Sequence, residues 1–125
     1  MAMNYTLDND LMAKEYLNRL IQAQKKGVQV FLFIDSLVSR PNRTSIRDFK
    51  AAGGCVLYRN KKQRILNSLN RSFFQRDHEK ILLADNRVLL GSANISKLYG
   101  GKRFGQDFFM DLNILMENCG IKDTL

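Results

Sequence analysis

With 125 residues, 45% of them apolar and 26% charged, the chain has room for one modest domain with a hydrophobic core and none for a second. Its longest purely apolar run, residues 30–34, is too short to cross a bilayer, and residues 1–10 lack the basic start and apolar centre of a secretory signal. A formal net charge of +8 concentrates anions, either nucleic acid or the head groups of acidic lipids, the plainer reading being a charge that only keeps the chain soluble.

In chain order, Asp8 or Asp10 caps a helix from Leu11 to about Lys26, with Leu11, Met12, Tyr16, Leu17, Leu20 and Ile21 on one face. Gly27 stands where the C-terminal cap belongs. Residues 28–35 (VQVFLFID) read as a buried strand, and Ser36–Asn42, with the only proline, as a loop. Thr44 or Ser45 then caps a short helix through Ala52, ended by Gly53 and Gly54. A second strand, CVLYR, begins at Cys55. Helix and strand alternate as in an α/β domain with a mixed, mostly parallel sheet flanked by helices.

The two cysteines, Cys55 and Cys119, match no metal spacing, and the start of an apolar strand predicts a reduced, buried thiol at Cys55. With a single histidine the ligand set for a metal is poor, and no metal or organic cofactor is expected.

Asn60–Asp77 is basic, with Leu66, Leu69, Phe73 and Phe74 spaced through it. It reads equally as a segment packed over the sheet or as an anion-facing rim with apolar anchors. A hairpin follows, KILLA and VLLGSAN, turning at Asp85-Asn86-Arg87. Ser96–Gln106 is a loop rich in glycine and lysine, and FFMDLNILME alternates strongly enough to predict a final strand with one buried face. Arg71 and Arg76 before the hairpin, and Lys97, Lys102 and Arg103 after it, bracket this region with charge suited to an anionic substrate.

His78, the only histidine, shares a strand face with Lys80. If Asp85, Asn86 and Arg87 form a three-residue loop, Ala84 pairs with Val88, Lys80 lies opposite Ser92 and His78 opposite Asn94. All four side chains then meet on one face, the pairs about 5 Å apart at Cβ. A two-residue loop would shift the register by one and turn Ser92 and Asn94 away. In the three-residue arrangement Asn86 or Arg87 takes the left-handed conformation.

An imidazole near neutral pH is a nucleophile toward phosphorus, and Lys80 and Asn94 supply a cation and a neutral donor to the phosphoryl oxygens. The far nitrogen of such a histidine needs a carboxylate to hold it, for which Asp111 is the first candidate and Glu117 the second. Asp85 is expected to cap the turn. A lone histidine is ordinarily a surface or structural residue, and Gly-Ser-x-Asn alone is a weak signal; the combination is far more specific.

That combination, His-x-Lys-x4-Asp followed by Gly-Ser-x-Asn, resembles the HKD signature of the phospholipase D superfamily. RDHEKILLADNRV, GSANIS, YGG and FMDLNILME further resemble the core of its cardiolipin synthase branch, as do KKGVQVFLFID and DFKAAGGCVLYR before it. The resemblance implies a phospholipase D-like half-domain spanning residues 1–125, incomplete at both ends, with His78 as nucleophile or general acid. It implies Lys80 and Asn94 on phosphate and Asp111 orienting the histidine. The implied reaction is phosphatidyl transfer or phosphodiester hydrolysis on an anionic phospholipid, by a cytoplasmic protein peripheral to a membrane.

This sequence departs from the family pattern in two ways. Five residues stand between Asp85 and Gly91 where the family usually has six, and there is one motif where family sites use two, from two halves of a chain or from a dimer. A homodimer or a second HKD half is therefore the expected partner. A homodimeric nuclease of the same superfamily, and an inactive fragment that only binds anions or a partner, are the rival readings.

Overall fold

The computed structural model describes residues 2–4, 7–36, 38–59, 80–105 and 109–118. The basic segment Asn60–Asp77 with its apolar anchors, His78, and Cys119 lie outside the described residues. The elements run β1 (Ala2–Asn4), α1 (Leu11–Lys25), β2 (Phe31–Asp35), α2 (Arg43–Ala51), β3 (Cys55–Arg59), β4 (Ile81–Ala84), β5 (Arg87–Gly91), two short 3-10 turns (Lys97–Tyr99 and Gly101–Arg103) and β6 (Asn113–Met116). They form one six-stranded mixed sheet in the order β3-β2-β1-β4-β5-β6. β1, β2 and β3 run parallel, while β4, β5 and β6 pair antiparallel.

Local chemistry sets the helix ends. Asp10 Oδ1 accepts from the Ala13 N–H at 2.9 Å and starts α1 where the sequence predicts. At the other end Gly27 takes φ 87°, which only glycine adopts freely, and the Val28 and Gly27 amides return to the Ala23 and Gln24 carbonyls. Gly53, at φ 98°, closes α2 with the same pair of bonds to Phe49 and Lys50. The start of α2 differs from expectation: Asn42, not Thr44 or Ser45, is the cap, its Oδ1 accepting from the Ser45 N–H at 3.1 Å. An Asn carboxamide in extended backbone reaches that amide, so the helix begins earlier than the hydroxyl residues suggest.

Both helices pack on one face of the parallel strands. Ala13 and Leu17 of α1, Ile46 and Phe49 of α2, and Leu32 and Ile34 of β2 form the buried core with Leu7 and Val30. Burying a Leu or Phe of this set contributes about 1.5–3 kcal/mol. Val56 and Tyr58 of β3 add to it, and their alternation turns Cys55, Leu57 and Arg59 outward.

Cys55 is exposed, because an apolar strand covered on one face buries only every second residue. β6 has no buried face: its four residues are all exposed, because it lies at the sheet edge, where alternation alone supplies no covering layer. Among the described residues, no helix is long and apolar enough to cross a membrane.

Candidate active site

The pairings deliver several loops to one edge of the sheet. Met3 pairs with Ile81 and Asn4 with Ile34, so Lys80 arrives at the C-terminal end of β1. The β4–β5 ladder then places Gly91 opposite Lys80, its N–H donating to the Lys80 carbonyl at 3.2 Å. Across β5, Gly91 pairs with Asn113, which brings Asp111 and Leu112 alongside Ser92. The Asn113 side chain occupies the space that a Cβ at position 91 would fill, a reason for glycine at the head of Gly-Ser-x-Asn.

The register is not the one the phosphate chemistry predicts. Asp85 adopts φ 53° and the hairpin closes on two residues, Asp85 and Asn86, so Ala84 pairs with Arg87. Lys80 therefore faces Gly91, not Ser92. A short polar side chain tolerates the left-handed backbone at the first loop position, and the spacing from Asp85 to Gly91 fits this tighter turn.

The polar groups still gather, by a different route. β5 ends at Gly91 and the chain bends at Ser92, whose hydroxyl donates to Asp111 Oδ1. The Asp111 carboxylate also acts on Lys80. Only 6% of Lys80 is exposed, and loss of water pushes its ammonium below the ordinary lysine range, while Asp111 pulls it back up. Asp111 thus accepts from Ser92 and sets its charge against Lys80, a link that strand pairing does not make.

Asn94 lies beyond them, buried, donating from Nδ2 to the Tyr99 hydroxyl at 3.2 Å. Its second amide hydrogen remains for another acceptor, and its Oδ1 is buried with no hydrogen-bond partner among the described residues. Ile95 bridges Leu7, the Asp8 N–H donates to the Ile95 carbonyl at 3.2 Å, and Asp10 Oδ2 accepts from the Lys97 N–H at 2.6 Å. The start of α1 thereby braces the Gly-Ser-x-Asn turn.

Other predicted residues divide by position. Glu117 pairs with Arg87 at 2.9 Å, at the far end of the hairpin from Lys80, about 13 Å along the strand. Asp85 sits in the loop at that same far end. Lys97 and Lys102 are exposed on the loop after β5, whereas Arg103 is held by Glu15 at 3.0 Å. The Glu15 carboxyl is lowered first by its hydrogen bond to Arg19, with Arg103 adding to the effect. His78, Arg71 and Arg76 lie outside the described residues. Tyr99 is a residue that sequence reasoning misses: YGG carries part of the family resemblance, but an irregular loop has no period that would point its hydroxyl at Asn94.

With this fold and edge in view, the chain's kinship can be stated. It belongs to the family described as cardiolipin synthase, PLD-like domain, whose model matches residues 1–102. Cardiolipin synthases of Clostridium perfringens, from strain 13 and from strain SM101, are each 30% identical to it over 120 residues, 95% of this chain and 25% of theirs. The chain thus spans about a quarter of the length of the curated relatives it matches. No solved structure matches it significantly.

Proposed function

We propose that the chain supplies one HKD half of a cardiolipin synthase-like phosphatidyltransferase, acting on anionic phospholipid at a membrane surface. The observation that carries this reading is the hydrogen bond from Ser92 to Asp111, whose charge acts on the buried Lys80, in a chain of the cardiolipin synthase family. The His78 imidazole attacks the donor phosphorus, forming a P–N bond as the P–O bond to the departing alcohol breaks. A histidine from a second HKD motif, in a partner chain or another half, protonates that alcohol. An acceptor hydroxyl then attacks phosphorus, the P–N bond breaks, and the second histidine takes the hydroxyl proton.

Lys80 and Asn94 donate to the phosphoryl oxygens as charge builds. Asp111 is a positioning residue that holds Lys80 and Ser92 and orients His78. Lys97, Lys102, Arg71 and Arg76 draw the anionic surface toward the site. No cofactor enters the scheme.

The test is cardiolipin formation from phosphatidylglycerol in mixed micelles, by the chain and its His78→Ala variant. The expected result is turnover in the first, where two chains pair to supply both histidines, none in the second, and the phosphatidyl group trapped on the protein through an acid-labile, base-stable P–N bond. DNA cleavage that depends on His78, with no lipid product, would replace this reading with the nuclease favoured by the +8 charge.

A further inference from the structure

The loop from β2 to α2 borders a cavity of about 320 Å3, lined among others by Ser36, Ser39, Arg40, Pro41, Arg43 and Tyr58. It opens at the C-terminal ends of the parallel strands β2 and β3, the edge where open parallel sheets place their ligands. The lining holds two guanidinium groups and no carboxylate. Elsewhere among the described residues Arg19 and Arg103 pair with Glu15, Arg47 with Asp48 and Arg87 with Glu117, and Arg59 is also engaged. Arg40 and Arg43 are the described arginines with no ion pair among the described residues, and they share one cavity.

The neutral groups around them are spent on fixing the loop. The Ser36 hydroxyl donates to the Arg59 carbonyl at 2.8 Å, and Ser39 Oγ accepts from the Leu7 N–H at 3.1 Å. Two like charges held beside one hollow favour a shared anion, and the planar guanidinium fork matches the oxygens of a phosphate. The cavity is also tied to the candidate active site. Leu7, whose carbonyl accepts from the Arg40 N–H at 3.0 Å, bridges Ile95 next to Asn94.

We propose that the Arg40–Arg43 cavity is a second phosphate subsite, separate from the Lys80 cluster, that binds the phosphoester oxyanion of the acceptor molecule. This assignment rests on the phosphatidyl-transfer reading, in which donor and acceptor each carry a phosphate. Arg40 and Arg43 hold the acceptor by its phosphate, which leaves its hydroxyl free to reach the donor phosphorus.

The test is titration of the 125-residue chain with inorganic phosphate, following arginine side-chain Nε–Hε resonances by NMR. The expected result is saturable shifts at Arg40 and Arg43, weakened at least about tenfold in Arg40→Gln/Arg43→Gln and retained in Lys80→Gln. Amide spectra verify that each variant is folded, and Arg47→Gln controls for lost surface charge. No saturable shift, equal weakening in Arg47→Gln, or loss in Lys80→Gln would overturn the subsite.

Competition identifies the source of the phosphate. Displacement by dihexanoyl phosphatidylglycerol supports a lipid acceptor, whereas displacement by glycerol 3-phosphate alone overturns the lipid role and assigns a soluble ester. None of these readouts needs turnover, so an inactive chain in the His78 assay bears on the functional reading alone.

Discussion

Lys80 is subject to two opposed influences, and their balance makes it testable. Burial lowers its pKa from the ordinary 10.5, and Asp111 opposes the shift. Well below the folded pKa, Lys80 is charged in both states and the desolvation cost is present in full. As pH rises through the folded pKa toward 10.5, the folded chain gives up its proton first and that cost fades. Stability attributable to Lys80 therefore rises through this alkaline window. Lys80→Met should abolish the gain, seen as denaturation midpoints against pH, while adding about 1 kcal/mol at neutral pH. Asp111→Asn removes the opposing charge, so the alkaline limb of the rate profile should move to lower pH. Because Asp111 is exposed, stability should change by less than about 0.5 kcal/mol. An unmoved limb would detach Asp111 from Lys80.

At the scale of elements, the hairpin turns on one backbone angle. With φ 53°, Asp85 allows the two-residue closure that pairs Ala84 with Arg87. Asp85→Val should destabilise the fold by about 1–2 kcal/mol, since a β-branched residue fits that conformation poorly. Asp85→Gly should fold and, where turnover is measurable, keep it, because the motif aspartate lies at the opposite end of the hairpin from Lys80. Thermal melts beside the lipid assay separate the two effects; lost activity in a stable Asp85→Gly would give the carboxylate a chemical role.

This hairpin also marks what the sequence makes legible. Asp10, Gly27 and the run from Cys55 to Arg59 announce α1 and β3 through capping and alternation, which are local properties. The register hangs on a single φ that Asp, Asn or Arg could have supplied, and composition does not choose among them. The exposure of Cys55 and of β6 depends on what lies across the sheet, and no local pattern encodes that. Asp111 is legible as a carboxylate for the site, but its bond from Ser92 and its charge near Lys80 appear only once β6 is paired. Arg40 and Arg43 escape notice because their significance is a shared cavity lining without a carboxylate, which only the folded chain reveals.

At the scale of the whole molecule, the proposed chemistry needs two histidines and the chain has one. If two chains complete one site, turnover per chain should fall about tenfold for each tenfold dilution below the dissociation constant. Activity assays alongside sedimentation measurements check this, and a dilution-independent specific activity would assign a complete site to a single chain. The fully buried Leu7 has a consequence at this scale too. One residue's backbone is clasped by the Ser39–Arg40 loop on one side and by the turn at Ile95 on the other. It is the spine of a calliper whose jaws are the arginine pair and the Lys80–Asn94 edge. In the proposed two-phosphate arrangement main chain sets the gap, so ligands would be selected by span: molecules whose phosphates are too close together or too far apart would engage only one jaw.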